Sequence, residues 1–410
     1  MQDKPTVLME TQDTNQSERH YYLDWLRFLA ILVIFFHHCS KIFDFHTTTV
    51  YNAVRSPILS AFREFNFLWI MPLFFMISGA SVYFSLRSRK AGGFIKERIL
   101  RILIPLIFIG TFIISPPYIY IERLFDGKTV DGFIQWYPQF FNGMWPKGNF
   151  APLGMGTHLW YLQSLFVYSL ILLPLFARSQ KTGRSLLAKL AIYFEKPWAL
   201  FLLFVPISAA AVAFELMGLG GMRVVGGWDP MSFLLFFIYG YLVFSNEQIL
   251  ETIKKYAVVS LIAAVVLTIF YLDSHFGINL EIPGVTRHNI HDISASFYKN
   301  SSVSAAVQAF RGLLGWLWLI GLIGVCSRFL NFSNQSLAYA SEAVLPFYIL
   351  HHTVILIIGF NIIQWNSSIF IKFVAIAGIS LTIIMALYEL LIRRFNILRF
   401  LFGMKMKINK

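Results

Sequence analysis

The sequence predicts an all-α integral membrane protein, a bundle of about ten transmembrane helices, N-in and C-in. Three observations predict it. Of 410 residues, 57% are hydrophobic and 13% charged, about half the roughly 25% charge of a soluble domain. Apolar runs of about 20 residues, the length that crosses a bilayer, recur along the whole chain. The basic residues fall in short blocks between those runs, the sorting of membrane loops, which excludes a nucleic-acid module despite a net charge of +13.

Residues 1–20 are polar and lack the basic and apolar regions of a signal peptide. They read as a disordered cytoplasmic leader. Spans are then expected over 22–43, 66–86, 99–121, 158–176, 198–217, 230–245, 256–273, 305–325, 343–362 and 369–392, the sixth of them short. Residues 21–395 form one membrane domain without a convincing internal repeat, and 396–410 a basic cytoplasmic tail. With the N-terminus inside, 22 of the 34 Lys and Arg lie in inner segments, 11 in outer segments and flanking span residues, and Arg27 within the first span. That two-to-one bias supports both termini inside. The longer outer segments 122–157 and 274–304 mix aromatics, Gly, Pro and polar groups, which suits a substrate surface or an interfacial belt. Cys39 and Cys326 match neither a CxxC site nor a disulfide scaffold and receive no role.

The first span, "YYLDWLRFLAILVIFFHHCSKIF", carries Asp24, Arg27, His37 and His38. An ionisable group at such a depth costs about 2.5–3.5 kcal/mol on insertion scales, so it is seldom idle. Arg27 and His38 are 11 residues apart, almost three helical turns, and share a face to within about 20°. Asp24 lies three residues before Arg27, within reach of an ion pair. His37 points about 100° away, so the stripe selects His38. Eleven residues also rise about 16 Å, so neither Arg27 nor Asp24 touches His38, and partners must come from other helices. Asp24 and Arg27 also suit a paired interfacial anchor, and His38 a structural histidine bonded to a neighbour.

Arg98 and Arg101 stand three apart where the third span begins, within "RSRKAGGFIKERILRILIPLIF". Paired guanidiniums at a helix start suit a phosphorylated ligand, though a charge-sorted inner loop has the same composition. His158 and Trp160 open the fourth span in "THLWYLQSLFVYSLILLPLF". The ninth carries Glu342 at its edge with His351 and His352 inside, in "SEAVLPFYILHHTVILIIGF". Each pair alone also fits interfacial decoration. The outer "TRHNIHD" holds His288 and His291 without a persuasive ligand set, and no metal is expected.

"YLDWLRFLAILVIFFHH" resembles the opening signature of the acyltransferase 3 family of integral-membrane acyltransferases. Its Arg, ten residues, His pattern falls on Arg27 and His38, and its Arg-x-x-Arg on Arg98 and Arg101. Its Ser-Gly-Phe element becomes Ser78-Gly79-Ala80, a departure at the third position. The His-Leu-Trp element matches at His158 and Trp160, and the late Tyr-Leu-x-His element at Tyr348 to His351. "EAVLPFYILHHTV" looks closest to the glucan-modifying branch, which includes periplasmic glucan succinyltransferases.

The resemblance covers residues 20 to about 395 and implies an O-acyltransferase of the cell (inner) membrane, multi-pass in the lipid bilayer. It implies cytoplasmic acyl-CoA, acetyl-CoA or succinyl-CoA, as donor, and a glycan hydroxyl on the outer side as acceptor. His38 would be general base or acyl carrier. Arg98 and Arg101 would bind donor phosphates, Arg27 with Asp24 would position the donor or brace the helix, and His158, Trp160 and His351 would contact the acceptor. The competing class is a proton-coupled transporter or flippase for a glycan or lipid-linked intermediate, in which intramembrane His, Arg and Asp are equally natural. Oligomeric state leaves no mark in the sequence.

Overall fold

The computed structural model describes residues 20–47, 49–128, 131–142, 158–181, 186–220, 226–276 and 301–407. The leader through residue 19, residues 129–130 and 143–157 of the first long loop segment, and residues 277–300 of the second, with His288 and His291, lie outside them.

Among the described residues the chain is all helix, with no strand. The helices are α1 (Tyr21–Lys41), α2 (Pro57–Ser88), α3 (Ala91–Phe125), α4 (Phe133–Asn142), α5 (Trp160–Ile171), α6 (Leu173–Lys181), α7 (Leu186–Tyr193) and α8 (Pro197–Leu216). They continue with α9 (Pro230–Phe244), α10 (Glu247–Phe276), α11 (Ser301–Phe329), α12 (Gln335–Ile362), α13 (Ile369–Ile392) and α14 (Asn396–Leu401). Eight helices are long and apolar enough to cross a membrane, and α5 with α6, bent by 53°, makes a ninth candidate. The chain is thus a multi-pass membrane protein. The expected sixth span is the 15-residue α9, about 22 Å long against a hydrocarbon core of about 30 Å.

Local chemistry sets the helix starts. Ser56, Asn334, Ser368 and Asp229 each accept a backbone N–H from the first turn of α2, α12, α13 and α9, supplying partners that hydrocarbon does not offer. In α3 the backbone takes wide, π-type turns over Ile99–Leu103 and Pro105–Ile114. Pro105 has no N–H to give, so the regular ladder is interrupted there.

Two packing groups share α1. On one side α2 is the hub, packed on α9, α10 and α11; on the other, α12 packs on α13 and α3. Helix α1 lies against both α2 and α12 and is the seam between them. The closest approach is α2 on α9, where Gly79 and Gly240 face backbone with no room for a methyl. A Cβ on Gly79 would lie 1.9 Å from the Phe237 carbonyl oxygen, and one on Gly240 1.9 Å from that of Met76. Small residues are how membrane helices gain close contact. Gly79→Val is therefore expected to lower stability by at least about 1–3 kcal/mol, the cost of overpacking. Heating in detergent followed by size exclusion reads this as a lower midpoint, and an unchanged midpoint would contradict the contact.

Candidate active site

A cavity of about 480 Å³ lies between α1, α2, α3, α5 and α12. Its basic end is formed by Arg89, Arg98 and Arg101 with Glu97 among them. Glu97 tethers two of the three: it pairs with Arg89, and its Oε1 is 3.4 Å from Arg101 Nε. It also accepts from the Ser85 hydroxyl at 3.3 Å. Arg98 is held instead over the Phe94 ring, 4.6 Å from its centroid, and its Nε has no hydrogen-bond partner among the described residues. The Arg-x-x-Arg pair thus divides into a tethered and an untethered guanidinium on one cavity wall.

The wall above is a row of hydroxyls. Ser78, Ser81, Ser85 and Ser88 all line the cavity, spaced three, four and three along α2, which puts them on one face. Arg27 reaches in from α1, donating to Asp24 Oδ1 at 3.1 Å and to Ser81 Oγ at 3.2 Å. The expected Asp24–Arg27 contact is present, and it opens on the cavity.

The far end of the cavity is closed by Tyr161 and Tyr348. The Tyr161 hydroxyl is 2.6 Å from Ser78 Oγ. Tyr348 faces the cavity with its ring, while its carbonyl and hydroxyl organise what lies behind. Its carbonyl accepts from His158 Nε2 at 3.1 Å and from His351 Nδ1 at 2.6 Å. His158 Nε2 also donates to the Ile349 carbonyl at 3.0 Å, and the Tyr348 hydroxyl donates to the His158 carbonyl.

Because a carbonyl can only accept, these contacts assign the proton to Nε2 of His158 and Nδ1 of His351. The opposite nitrogens, His158 Nδ1 and His351 Nε2, are buried without a hydrogen-bond partner among the described residues. Into this space α1 delivers His38. Its ring centroid is 3.9 Å from that of His352, 5.1 Å from His351 and 5.3 Å from His37. His158 closes the group at 5.0 Å from His351 and 5.1 Å from His352. His351 is 0%, His352 5% and His158 5% exposed, while His38 is half-buried, so its ring is the one of the group that keeps some accessible surface. Among the described residues the neighbours of His38 are imidazoles rather than carboxylates, and no three His, Cys, Asp or Glu side chains converge as metal ligands.

The structure therefore brings His38, His158 and His351 together from α1, the start of α5 and α12, and puts Asp24, Arg27, Arg98 and Arg101 in or beside the cavity below them. Trp160 goes elsewhere, packed against Phe75 and Phe233. Its neighbour Tyr161 takes the cavity position. His352, which α12 sets closest to His38, and the hydroxyls of Ser81, Ser85 and Ser88 carry no role in the sequence reading. The serine spacing inside an apolar span is a signal for the latter; nothing local separates His352 from His351. Beyond the imidazoles Tyr118 stands edge-on to His352 at 5.1 Å, and Asp44 pairs with Arg63.

A family model described as "Acyltransferase domain" matches residues 20–389. Glucans biosynthesis protein C of Salmonella typhimurium is 25% identical over 405 residues, covering 96% of each chain. The protein of that name from Salmonella typhi is 26% identical over 400 residues, 94% of this chain and 95% of its own. That of Escherichia coli O139:H28 is 25% identical over 408 residues, 95% of each. No solved structure matches.

The tyrosine knot has a direct test. Tyr348→Phe removes the hydroxyl that meets the buried His158 carbonyl and is expected to cost about 1–3 kcal/mol, the penalty of a buried acceptor that loses its partner. Thermal unfolding in detergent would show it, and a variant as stable as the parent would mean that the bond contributes nothing.

Proposed function

We propose, from the premise that the chain belongs to the acyltransferase family whose domain model covers residues 20–389, that it moves an acyl group from cytoplasmic acyl-CoA to a hydroxyl of an exported glucan. The carrying observation is the single cavity with guanidiniums at one end and the Tyr348 partition, backed by imidazoles, at the other. Support for the acceptor comes from the relatives named for glucan biosynthesis. The full reading has ten crossings of the inner membrane with both termini in the cytoplasm, the basic end of the cavity inside and the imidazole cluster toward the outer face. The acyl group is acetyl or succinyl.

In this reading Arg98 and Arg101 hold the donor phosphates, for which a fixed guanidinium fork is suited. Arg27, held by Asp24, supports the arm of the donor beside Ser81. The acceptor hydroxyl approaches from the other side and attacks the thioester carbonyl. The C–O bond forms as the C–S bond breaks. His38 takes the hydroxyl proton, and the departing thiolate is finally protonated to the thiol. His38 serves equally as transient acyl carrier if the two half-reactions are separated, which ping-pong kinetics would reveal. His158 and His351, each with a protonated nitrogen bound to a carbonyl, leave acceptor nitrogens toward His38 and the incoming sugar.

Acyl-ester analysis of glucans from cells carrying the intact protein, His38→Ala or no protein tests the assignment. Esters are expected only with the intact chain, and the His38 variant should lose about 10²–10⁴-fold in rate, the worth of a general base. Equal esters in all three would sink the reading. Glucan export lost without the protein but retained with His38→Ala would favour the carrier class. For the donor end, Arg101→Gln is expected to raise the acyl-CoA KM about tenfold or more with little change in kcat, the effect of one charge-assisted hydrogen bond. A fall in kcat at unchanged KM would place Arg101 elsewhere in the reaction.

A further inference from the structure

The basic C-terminal segment forms, among the described residues, a closed hook over residues 396–407, docked beside the basic end of the cavity. Asn396 and Lys407 clasp each other, Asn396 Nδ2 donating to the Lys407 carbonyl at 3.1 Å and the Lys407 N–H to Asn396 Oδ1 at 2.8 Å. Arg399 fills the middle. Its Nε donates to the Lys405 carbonyl at 2.8 Å and its Nη1 to that of Arg393 at 3.4 Å. Its own carbonyl accepts from the Met404 N–H at 2.8 Å.

Phe402 is buried in the bundle core, with Leu401 and Met404 packed against it, and one charged contact bolts the hook in place: Arg399 Nη2 to Glu342 Oε1 of α12, at 2.7 Å. Glu342 is also approached by Arg393 Nε at 3.6 Å and by the Tyr388 hydroxyl at 3.4 Å. Arg399 is only 5% exposed. A solvated tail would leave a guanidinium in water, because burying one costs several kcal/mol unless charge and hydrogen bonds replace the hydration.

The hook then turns on Gly403, in the left-handed region at φ +70°, and presses on the cavity wall. A Cβ there would lie 2.6 Å from the Arg101 carbonyl oxygen and 3.1 Å from side-chain carbons of Leu345 and Pro105. Arg101 and Leu345 both line the cavity. Arg101 also sits in the π-type stretch Ile99–Leu103, just before Pro105, where the regular helical ladder does not hold the backbone. The hook therefore meets the basic wall where the α-type ladder gives way to wider π-type bonds.

We propose that the hook is a working part of the donor cleft. Through the Arg399–Glu342 bolt it holds the Arg101 backbone, and so sets that guanidinium for an acyl-CoA phosphate. Arg399 and Gly403 are positioning residues. The inference rests on Arg101 belonging to the donor site.

The test uses the full chain in nanodiscs with acyl-CoA and a glucan acceptor. Gly403→Ala, which combines a strained φ with a clash on Arg101, and Arg399→Gln are each expected to raise the donor KM about three- to tenfold, the scale of one displaced hydrogen bond. The kcat and the acceptor KM should hold. The charge exchange Glu342→Arg with Arg399→Glu should recover the donor KM that either single exchange loses. Asn396→Ala, which cuts only the clasp, serves if a bolt variant fails to fold, and should raise the same constant. Folded variants with an unchanged donor KM, or with kcat and both KM values lost together, would overturn the inference. If Arg101→Gln leaves the donor KM unchanged, the donor reading itself fails; if Arg101→Gln raises it while the hook variants do not, only the hook inference fails.

Discussion

The Tyr348 peptide is the point on which the site depends. Its carbonyl takes the N–H of both His158 and His351, and its side chain meets the His158 carbonyl. An unpaired polar group surrounded by hydrocarbon costs several kcal/mol. A bundle that draws imidazoles from α1, α5 and α12 into one space must therefore give each ring at least one firm partner or tolerate a strong drive to expel it. By using one carbonyl twice, α12 fixes two rings, settles which nitrogen of each carries the proton, and leaves the other nitrogen buried without a hydrogen-bond partner among the described residues. The same residue lines the cavity below, so it stands between the imidazole cluster and the guanidiniums at the other end.

Helix α1 explains why the two ends are in register. It is the seam between the α2 and α12 groups, so one of its faces looks into the cavity along the length of the site. Arg27 and His38 share that face at a rise of about 16 Å, which sets the guanidinium beside Ser81 in the cavity and the imidazole beyond the partition. The pair cannot act by contact. In the proposed reaction it acts as a ruler, fixing how far a donor anchored by its phosphates must reach. Asp24, one turn below, keeps Arg27 from being a lone charge in that wall.

Much of this was legible in the sequence because it follows from periodicity. Eight of the ten expected spans are long helices and the Arg27–His38 stripe follows from 3.6 residues per turn. What was not legible depends on tertiary packing. His351 and His352 are adjacent and equally apolar in setting; only the rotation of α12 against α1 sets His352 at 3.9 Å from His38. Trp160 and Tyr161 differ by one helical step, and the packing of Phe75 and Phe233 decides that tryptophan turns to the core. The hook reads as a tail because its cohesion comes from Arg399 meeting Glu342, 57 residues away in sequence. Composition records the charge of that arginine and says nothing of its burial.

The two tyrosines that close the cavity are not equally fixed, and this bears on how a donor carbonyl comes within reach of His38. Tyr161 is held by its hydroxyl, with Ser78 at 2.6 Å and more weakly the Phe74 carbonyl at 3.4 Å, and by its ring packing on Phe74, Phe75 and Tyr348. Swinging it aside trades bonds worth about 0.5–1.5 kcal/mol each, and a donor lying along the serine row offers Ser78 a replacement partner. Displacing the Tyr348 backbone would instead orphan nitrogens on two buried rings, a penalty of about 1–3 kcal/mol for each group left without a partner. The cheaper motion is therefore the one that leaves the imidazoles in place. For the donor proposed above, the partition therefore opens on the α5 side, next to His158, and the Tyr348 backbone stays in place.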